Sequence, residues 1–278
     1  MIPPIASRFV AGETAAEALE HVEALNDRNV RGILNLLGEH YRERGPADAD
    51  AEAYCDLVGD VRDADVDACV SVKPTQIGLG VDEDAFVENL GAVVAVAAEA
   101  DVFVWIDMED HATTDATLDA YERFVTEYGG GLGVCVQANL RRTRADLERL
   151  APLPGRVRLV KGAYDEPGDL AYRDRATVTE RYLEDLEYAF REFEGVVAVG
   201  SHDPTVVERA VELGETYGTP FEFQMLMGVR EDAQFDLAAD HDVSQYVPFG
   251  GSWFSYFARR ATERRENLAF ALRAVLGG

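Results

Sequence analysis

The chain has 278 residues, 47% of them hydrophobic, and its 52 acidic residues against 26 basic ones give a net charge of −26. This length and hydrophobic content allow a sizeable folded core and exclude a disordered chain. Because acidic residues outnumber basic ones, the chain offers no basic stripe for phosphate contacts, which excludes nucleic acid as a partner.

Short apolar runs alternate along the chain with longer amphipathic stretches of helical period. A short N-terminal helical extension is predicted over about residues 13–28. Helix start signals lie at Thr14, Asp82, Thr114 and Asp203-Pro204. The strand candidates, in chain order, are residues 32–37, 68–73, 102–107, 132–137, 157–161, 196–200, 221–225 and 244–249.

Eight strands interleaved with helices over about 250 residues predict an α/β fold, a (βα)8 or TIM barrel. We therefore expect a single domain over residues 1–278. A doubly wound open sheet is the alternative fold, although no GxGxxG motif follows a first strand.

Polar residues close nearly every predicted strand, and catalytic groups of a barrel lie at those C-terminal ends. Together they predict a polar mouth over a packed barrel. In order, they are Gly38-Glu39, Lys73, Asp107, Gln137, Lys161, Ser201-His202-Asp203, Gln224 and Phe249-Gly250.

Two of these residues, Lys73 and Lys161, are the only lysines, and the other 24 basic residues are arginines. A compact ammonium can contact a carboxylate or phosphate as a point charge, or lose its proton when desolvated. Each lysine alone could be an ordinary residue at the end of an element. Their analogous positions favour a function for both.

The three cysteines, Cys55, Cys69 and Cys135, have neither the number nor the spacing of a disulfide framework or a metal site. We expect Cys69 and Cys135 to be small core residues. No stretch reaches the roughly 18 apolar residues of a membrane span, and the N-terminus lacks a leader pattern. These features predict a soluble, cytoplasmic protein, and the acidic, lysine-poor composition resembles that of salt-accumulating microbes.

Adjacent arginines, Arg259 and Arg260, follow a predicted strand, a Gly-Gly turn and four aromatic residues. Two neighbouring guanidinium groups can converge on one carboxylate through paired, charge-assisted hydrogen bonds. The alternative is a solvated arginine-rich helix face, which we prefer for Arg264 and Arg265. For Arg259 and Arg260 the position favours anion binding.

A set of motifs along the chain resembles the proline dehydrogenase (proline oxidase) family, flavoenzymes with a distorted (βα)8 barrel. The motifs extend from about Arg8 to Phe270, and RLVKGAY together with YFARR is the most specific combination. The resemblance is to the short monofunctional type. The motifs are SVKPTQIGL, IDMED, VQANLRRTRADL, RLVKGAYDEP, FQMLMG and YVPFG followed by YFARRATERRENLAF.

The resemblance implies a substrate site for L-proline. Lys73, Arg259 and Arg260 match residues that grip the proline carboxylate, and Asp107 matches an active-site aspartate expected to orient Lys73. The residues matching the wall of the proline ring are Leu226, Tyr246 and Tyr256. Tyr246 would crowd a hydroxylated ring, which favours proline over 4-hydroxyproline.

The resemblance also implies FAD as the cofactor and no metal. Hydride would pass from proline to the flavin, giving 1-pyrroline-5-carboxylate, and electrons would then pass to a quinone in a transient encounter at the membrane surface. Arg158 would lie near the reactive flavin nitrogen. The residues matching FAD contacts are Gln137, Arg158, Lys161, Gly162, Ala163, His202, Gln224 and Glu263.

Three residues depart from the family's usual pattern: Asn35 where an aspartate is common, Pro74 after Lys73, and Met227 after Leu226.

Two other functions stay open. A Schiff-base aldolase could use Lys161 or Lys73 as a nucleophile, but it gives no role to Gln137 or Arg158. The other is a non-catalytic acidic scaffold, which would bind no flavin.

Overall fold

The computed structural model describes residues 7–254. Helices and strands alternate throughout this part of the chain. The helices are α1 (Ala15–Asn26), α2 (Arg44–Ala64), α3 (Glu83–Ala100), α4 (Thr114–Tyr128), α5 (Thr143–Leu150), α6 (Arg175–Glu192), α7 (Pro204–Tyr217) and α8 (Glu231–Leu237), with a 3-10 turn at His111–Thr113. The strands are β1 (Val30–Leu36), β2 (Ala68–Val72), β3 (Val104–Ile106), β4 (Leu132–Gln137), β5 (Arg156–Val160), β6 (Val197–Gly200), β7 (Phe221–Leu226) and β8 (Val243–Phe249).

The strands form one closed parallel barrel in the order β1 to β8. Closure is made by β1 and β8, which pair along seven residues from Val30 opposite Val243 to Leu36 opposite Phe249. The predicted (βα)8 barrel is confirmed, and the open-sheet alternative is wrong because an open sheet leaves its edge strands unpaired. Every predicted strand is present, with bounds that differ by no more than two residues.

The helix starts follow from side-chain caps. Thr14 accepts a hydrogen bond from the backbone N–H of Glu17, whose carboxylate bonds back to the Thr14 N–H, forming a complete capping box. Asp82 caps α3 at Ala85, and Asp203 caps α7, where Pro204 is the first helical residue. These predicted starts are confirmed, and so is Thr114 as the first residue of α4.

Apolar side chains fill the space between the strands and the surrounding helices, and a smaller cluster of Ile33, Trp105 and Ala198 lies apart from them. Cys135 is buried as expected. Cys69 is half-buried and packs against the Ile33–Trp105–Ala198 cluster. Among residues 7–254, no helix has both the length and the apolar character needed to cross a membrane. The assignment of residues 1–278 to one domain stays a prediction.

Candidate active site

A cavity of about 330 Å³ opens at the C-terminal ends of the barrel strands. It brings together every predicted site residue that falls within residues 7–254. Those residues are Lys73, Asp107, Gln137, Arg158, Lys161, Gly162, Ala163, His202, Gln224, Leu226 and Tyr246. The other predicted site residues, Tyr256, Arg259, Arg260 and Glu263, lie outside the described residues.

Asp107 is the centre of the polar network in this cavity. Its Oδ1 accepts a hydrogen bond from Ser71 Oγ at 2.7 Å and contacts the Arg158 guanidinium. Its Oδ2 accepts from the Tyr246 hydroxyl at 2.6 Å and lies 3.7 Å from Lys73 Nζ. Burial raises the pKa of Asp107, but the charges of Arg158 and Lys73 outweigh it and hold this pKa below the usual value. Asp107 is therefore an anion that joins two cations and a phenol.

Lys73 follows β2 and points toward the end of the neighbouring strand β1. Its Nζ donates to Asn35 Oδ1 at 2.6 Å and to the Tyr246 hydroxyl oxygen at 3.3 Å. Burial and the Asp107 charge raise the pKa of Tyr246 well above its ordinary value, so its hydroxyl stays neutral. Lys73 thus presents a positive charge beside a neutral phenol at the cavity wall.

Arg158 lies inside the barrel on β5 and is only 4% exposed. It donates to Gln224 Oε1 at 3.1 Å, and its guanidinium lies 4.9 Å from the centre of the Trp105 ring. Burial lowers the pKa of Arg158, but the Asp107 carboxylate reverses this effect and raises it, so the group stays charged. Its Nε is buried without a hydrogen-bond partner among the described residues.

Lys161 and the loop after it form another part of the wall. Lys161 Nζ donates to Asp203 Oδ2 at 2.7 Å and to Thr179 Oγ1 at 2.8 Å. Gly162 has a φ of +104°, and a Cβ there would lie 2.1 Å from Asn139 Oδ1. The loop can therefore follow this path only with glycine at position 162.

A second cavity of about 730 Å³ adjoins the first across shared wall residues, Lys161, Gly162, Tyr164 and His202. Arg173 and Arg175 line the second cavity and not the first. His202 sits between the two cavities, where its Nε2 accepts a hydrogen bond from the Leu226 N–H at 2.9 Å. The two cavities together make one larger site whose wall carries both basic and acidic side chains.

Two side chains that support this network were not predicted as site residues from the sequence: Ser71, and Asn35, which was noted only as a departure from the family pattern. Both are fully buried, and Ser71 bonds directly to Asp107. Ser71 lies two residues before Lys73 on β2, so strand alternation was a signal that could have found it. Cys135 was expected to be core only, and it also lines the cavity. Glu109, another missed wall residue, is buried and accepts hydrogen bonds from the Thr75 N–H and hydroxyl at 2.6 Å each.

Comparison with known proteins gives a consistent family assignment. A model described as proline dehydrogenase matches residues 18–273. "Proline dehydrogenase" of Deinococcus radiodurans is 35% identical over 99% of this chain and 91% of its own length. "Proline dehydrogenase 1" of Bacillus subtilis strain 168 is 34% identical over 98% of this chain and 90% of its own.

Solved structures of similar fold include proline utilization A (PutA) from Bdellovibrio bacteriovorus, inactivated by N-propargylglycine. It superposes with a TM-score of 0.84 at 23% identity, over 92% of this chain and 32% of that one. PutA from Corynebacterium freiburgense gives a TM-score of 0.82 at 24% identity, over 93% and 31% of the two chains. At these identities the likeness concerns the barrel fold.

Proposed function

The chain belongs to the proline dehydrogenase family, and from this membership we propose that it oxidises L-proline to 1-pyrroline-5-carboxylate with FAD as cofactor and a quinone as electron acceptor. The observation that carries the proposal is the network in which Asp107 joins Lys73, Arg158 and Tyr246 at the wall of one cavity. We further propose a single domain of residues 1–278 that works in the cytoplasm.

The shape and chemistry of the site fit FAD. The two adjoining cavities share wall residues and together offer more room than either alone, as a dinucleotide requires, and basic side chains occur in both. Arg158 Nε and Asn139 Oδ1 are buried polar atoms without partners among the described residues, as expected of groups that face a polar ligand. The residues proposed to hold FAD are Gln137, Arg158, Lys161, Gly162, Ala163, His202, Gln224 and Glu263.

When bound, FAD supplies a two-electron acceptor for the hydride of proline C5. The chain's own residues orient the substrate. Lys73, with Arg259 and Arg260, would bind the proline carboxylate, and the neutral Tyr246 and Leu226 would wall the ring. Asp107 holds Lys73 and Tyr246 in place through its Oδ2. This positioning is the main contribution that the protein has to make.

The proline nitrogen must be neutral before its lone pair can form the C=N bond of the product. The positive charges of Lys73 and Arg158 disfavour a protonated amine beside them. Two protons leave the nitrogen in all: the ammonium proton before hydride transfer, and afterwards the N–H proton of the resulting iminium, which gives the neutral C=N of the product.

Tyr246 lies at the cavity wall, where it would crowd a ring hydroxyl of a bound substrate, so we propose L-proline rather than 4-hydroxyproline as substrate. The quinone would be met in a transient encounter at the membrane surface. The aldolase alternative is not favoured, since the family model and the full-length relatives are proline dehydrogenases.

The visible spectrum of the purified protein tests this proposal. In a buffer of high salt, we expect a bound flavin whose absorbance bleaches on anaerobic addition of L-proline and returns on addition of a soluble quinone. D-Proline at the same concentration is the control and should bleach the flavin far more slowly. A folded protein without flavin, or a flavin that L-proline leaves oxidised, would contradict the proposal.

The adjacent arginines give a narrower prediction. Replacing Arg259 or Arg260 with methionine should raise the KM for L-proline by about 10- to 100-fold, because a charge-assisted hydrogen bond contributes about 1.5–3 kcal/mol. Flavin content, read from the ratio of visible to protein absorbance, should stay near the wild-type value. Loss of flavin with an unchanged KM would mean that these arginines serve the cofactor instead.

A further inference from the structure

The backbone of Leu226, at the end of β7, is held by two side chains where strand pairing with β6 has stopped. The register of β6 with β7 runs as far as Val199 opposite Phe223. Further along β7, the Leu226 N–H donates to His202 Nε2 at 2.9 Å, and the Leu226 carbonyl accepts from Gln234 Nε2 at 2.9 Å. These bonds take the place of sheet pairing at the point where β7 reaches the cavity.

Gln234 lies on α8 and is fully buried. Its Nε2 also donates to the Val229 carbonyl at 2.8 Å, so both of its protons are used. Because the two carbonyls can only accept, the amide nitrogen must face them and the amide oxygen must face away. That oxygen accepts from Gln245 Nε2 at 2.9 Å. The orientation of the first amide therefore determines that of the second.

Gln245 lies on β8 and is also fully buried. Since its nitrogen faces Gln234, its oxygen is the atom that lies 2.8 Å from His21 Nε2 on α1. A carbonyl oxygen can only accept, so His21 must donate from Nε2. A hydrogen-bonded relay thus runs from α1 through β8 and α8 to the Leu226 carbonyl.

Leu226 stands opposite Tyr246 in the register of β7 with β8, and both side chains line the first cavity. Tyr246 is fixed by its hydrogen bond to Asp107. Leu226 has no polar side chain to fix it, so its position depends on its backbone bonds. It can move away from the cavity only if the bond to the buried Gln234 amide breaks and leaves a carbonyl unpaired, which is costly.

We propose that Gln234 is a positioning residue, supported by Gln245 and His21, that holds Leu226 in place and so limits the size of the substrate ring. This inference rests on the proposed function, in which Leu226 walls the ring of L-proline. None of the three relay residues lines either cavity, so the relay acts through Leu226.

The variant Gln234→Met tests this role, because methionine keeps the length of the side chain but donates no hydrogen bond. The probes are tetrahydrofuran-2-carboxylate and tetrahydropyran-2-carboxylate, which differ by one methylene in the ring, and the measurement is their inhibition constants. The wild-type protein should bind the five-membered ring more tightly. In the variant, the ratio of the two constants, six-membered over five-membered, should fall at least about threefold, because Leu226 yields to the larger ring. A purely structural loss would weaken both probes alike.

Asn26→Leu is the matched control. Asn26 Nδ2 also donates to two carbonyls, those of Val30 and Asp67 at 3.0 and 3.2 Å, and its Oδ1 accepts from the Asp67 N–H at 2.8 Å. These contacts lie at the start of β1, at the end of the barrel opposite the cavity. The control therefore removes an equivalent set of hydrogen bonds. Its ratio of inhibition constants should stay within about 1.5-fold of wild type.

If Gln234→Met fails to fold, His21→Leu removes the outer donor of the relay at a half-buried position and leaves Gln234 in place. The Gln245 amide can then turn, and the ratio should fall about 1.5- to 2-fold. A ratio that stays the same or rises in the folded variant would overturn the inference, as would a wild-type protein that binds both probes equally. A wild-type protein whose flavin L-proline does not reduce would instead overturn the proposed function.

Discussion

Asp107→Asn is expected to lower kcat/KM for L-proline by about 100- to 1000-fold. The carboxylate receives hydrogen bonds from Ser71 and Tyr246 and pairs with Arg158 and Lys73. Asparagine keeps the size but loses the charge, and its amide nitrogen can only donate. Losing two charge-assisted contacts of about 1.5–2 kcal/mol each, at the low end of their usual range, accounts for a loss of this size. Steady-state kinetics in high salt, normalised to bound flavin, measure it.

The pH dependence of the same variant follows from the lowered pKa of Asp107. A carboxyl group whose folded pKa is depressed contributes stability above its unfolded pKa, about 3.9, and loses that contribution as pH falls through the folded pKa. Asp107 should therefore stay charged throughout the range from pH 5 to 8. Any loss of stability in acid that is due to protonation of Asp107 should begin below about pH 4. The Asp107→Asn variant should not show this loss.

Asp119→Asn is the matched control for this experiment. Asp119 pairs with Arg149 at 2.7 Å on the surface, where its side chain is 69% exposed. The kcat/KM of the Asp119→Asn variant for L-proline should stay within twofold of wild type. An Asp107→Asn variant with kcat/KM within threefold of wild type would show that the network does not position the substrate.

The sequence predicted the barrel because eight short, mainly apolar runs alternate with longer amphipathic stretches of helical period. The bounds were less predictable, and β3 shows why. Residues 102–107 were expected, but the strand covers only Val104–Ile106. Nevertheless the Asp107 N–H still donates to the Val72 carbonyl at 2.9 Å, so the backbone pairing continues where the regular strand has ended.

The composition of the site was predictable, and its contacts were not. Strand ends of a barrel meet on one face, which is why Lys73 and Asp107 could be expected in one cavity. That Arg158 bonds to Asp107, 51 residues away in sequence, depends on strand register and on which side chains point inward. Asn35 was identified only as a departure from a family pattern, and its hydrogen bond to Lys73 becomes visible only when the neighbouring strands β1 and β2 are placed.

The largest expected effect on stability comes from Arg158→Met. Arg158 and Asp107 form a buried pair whose side chains are 5% and 15% exposed. Within residues 7–254, removing the guanidinium leaves Lys73, at 3.7 Å, as the one cationic partner of Asp107. Breaking a buried pair by removing one partner costs about 3–5 kcal/mol, because the remaining charge is desolvated and uncompensated. Urea unfolding at fixed salt should show this loss in the free energy of unfolding.

The double variant Asp107→Asn, Arg158→Met separates the cost of an unpaired charge from the cost of lost packing. Since it leaves no unpaired carboxylate, it should be more stable than Arg158→Met alone by about 1–3 kcal/mol, although its activity should not recover.

Arg149→Met is the surface control, because the Arg149 side chain is 34% exposed. This variant should lower the free energy of unfolding by about 1 kcal/mol or less. Raising the salt concentration should diminish the small Arg149 effect and leave the Arg158 effect, since a buried pair is poorly screened. If the effects of Asp107→Asn and Arg158→Met on stability simply add, the two side chains do not act as a pair.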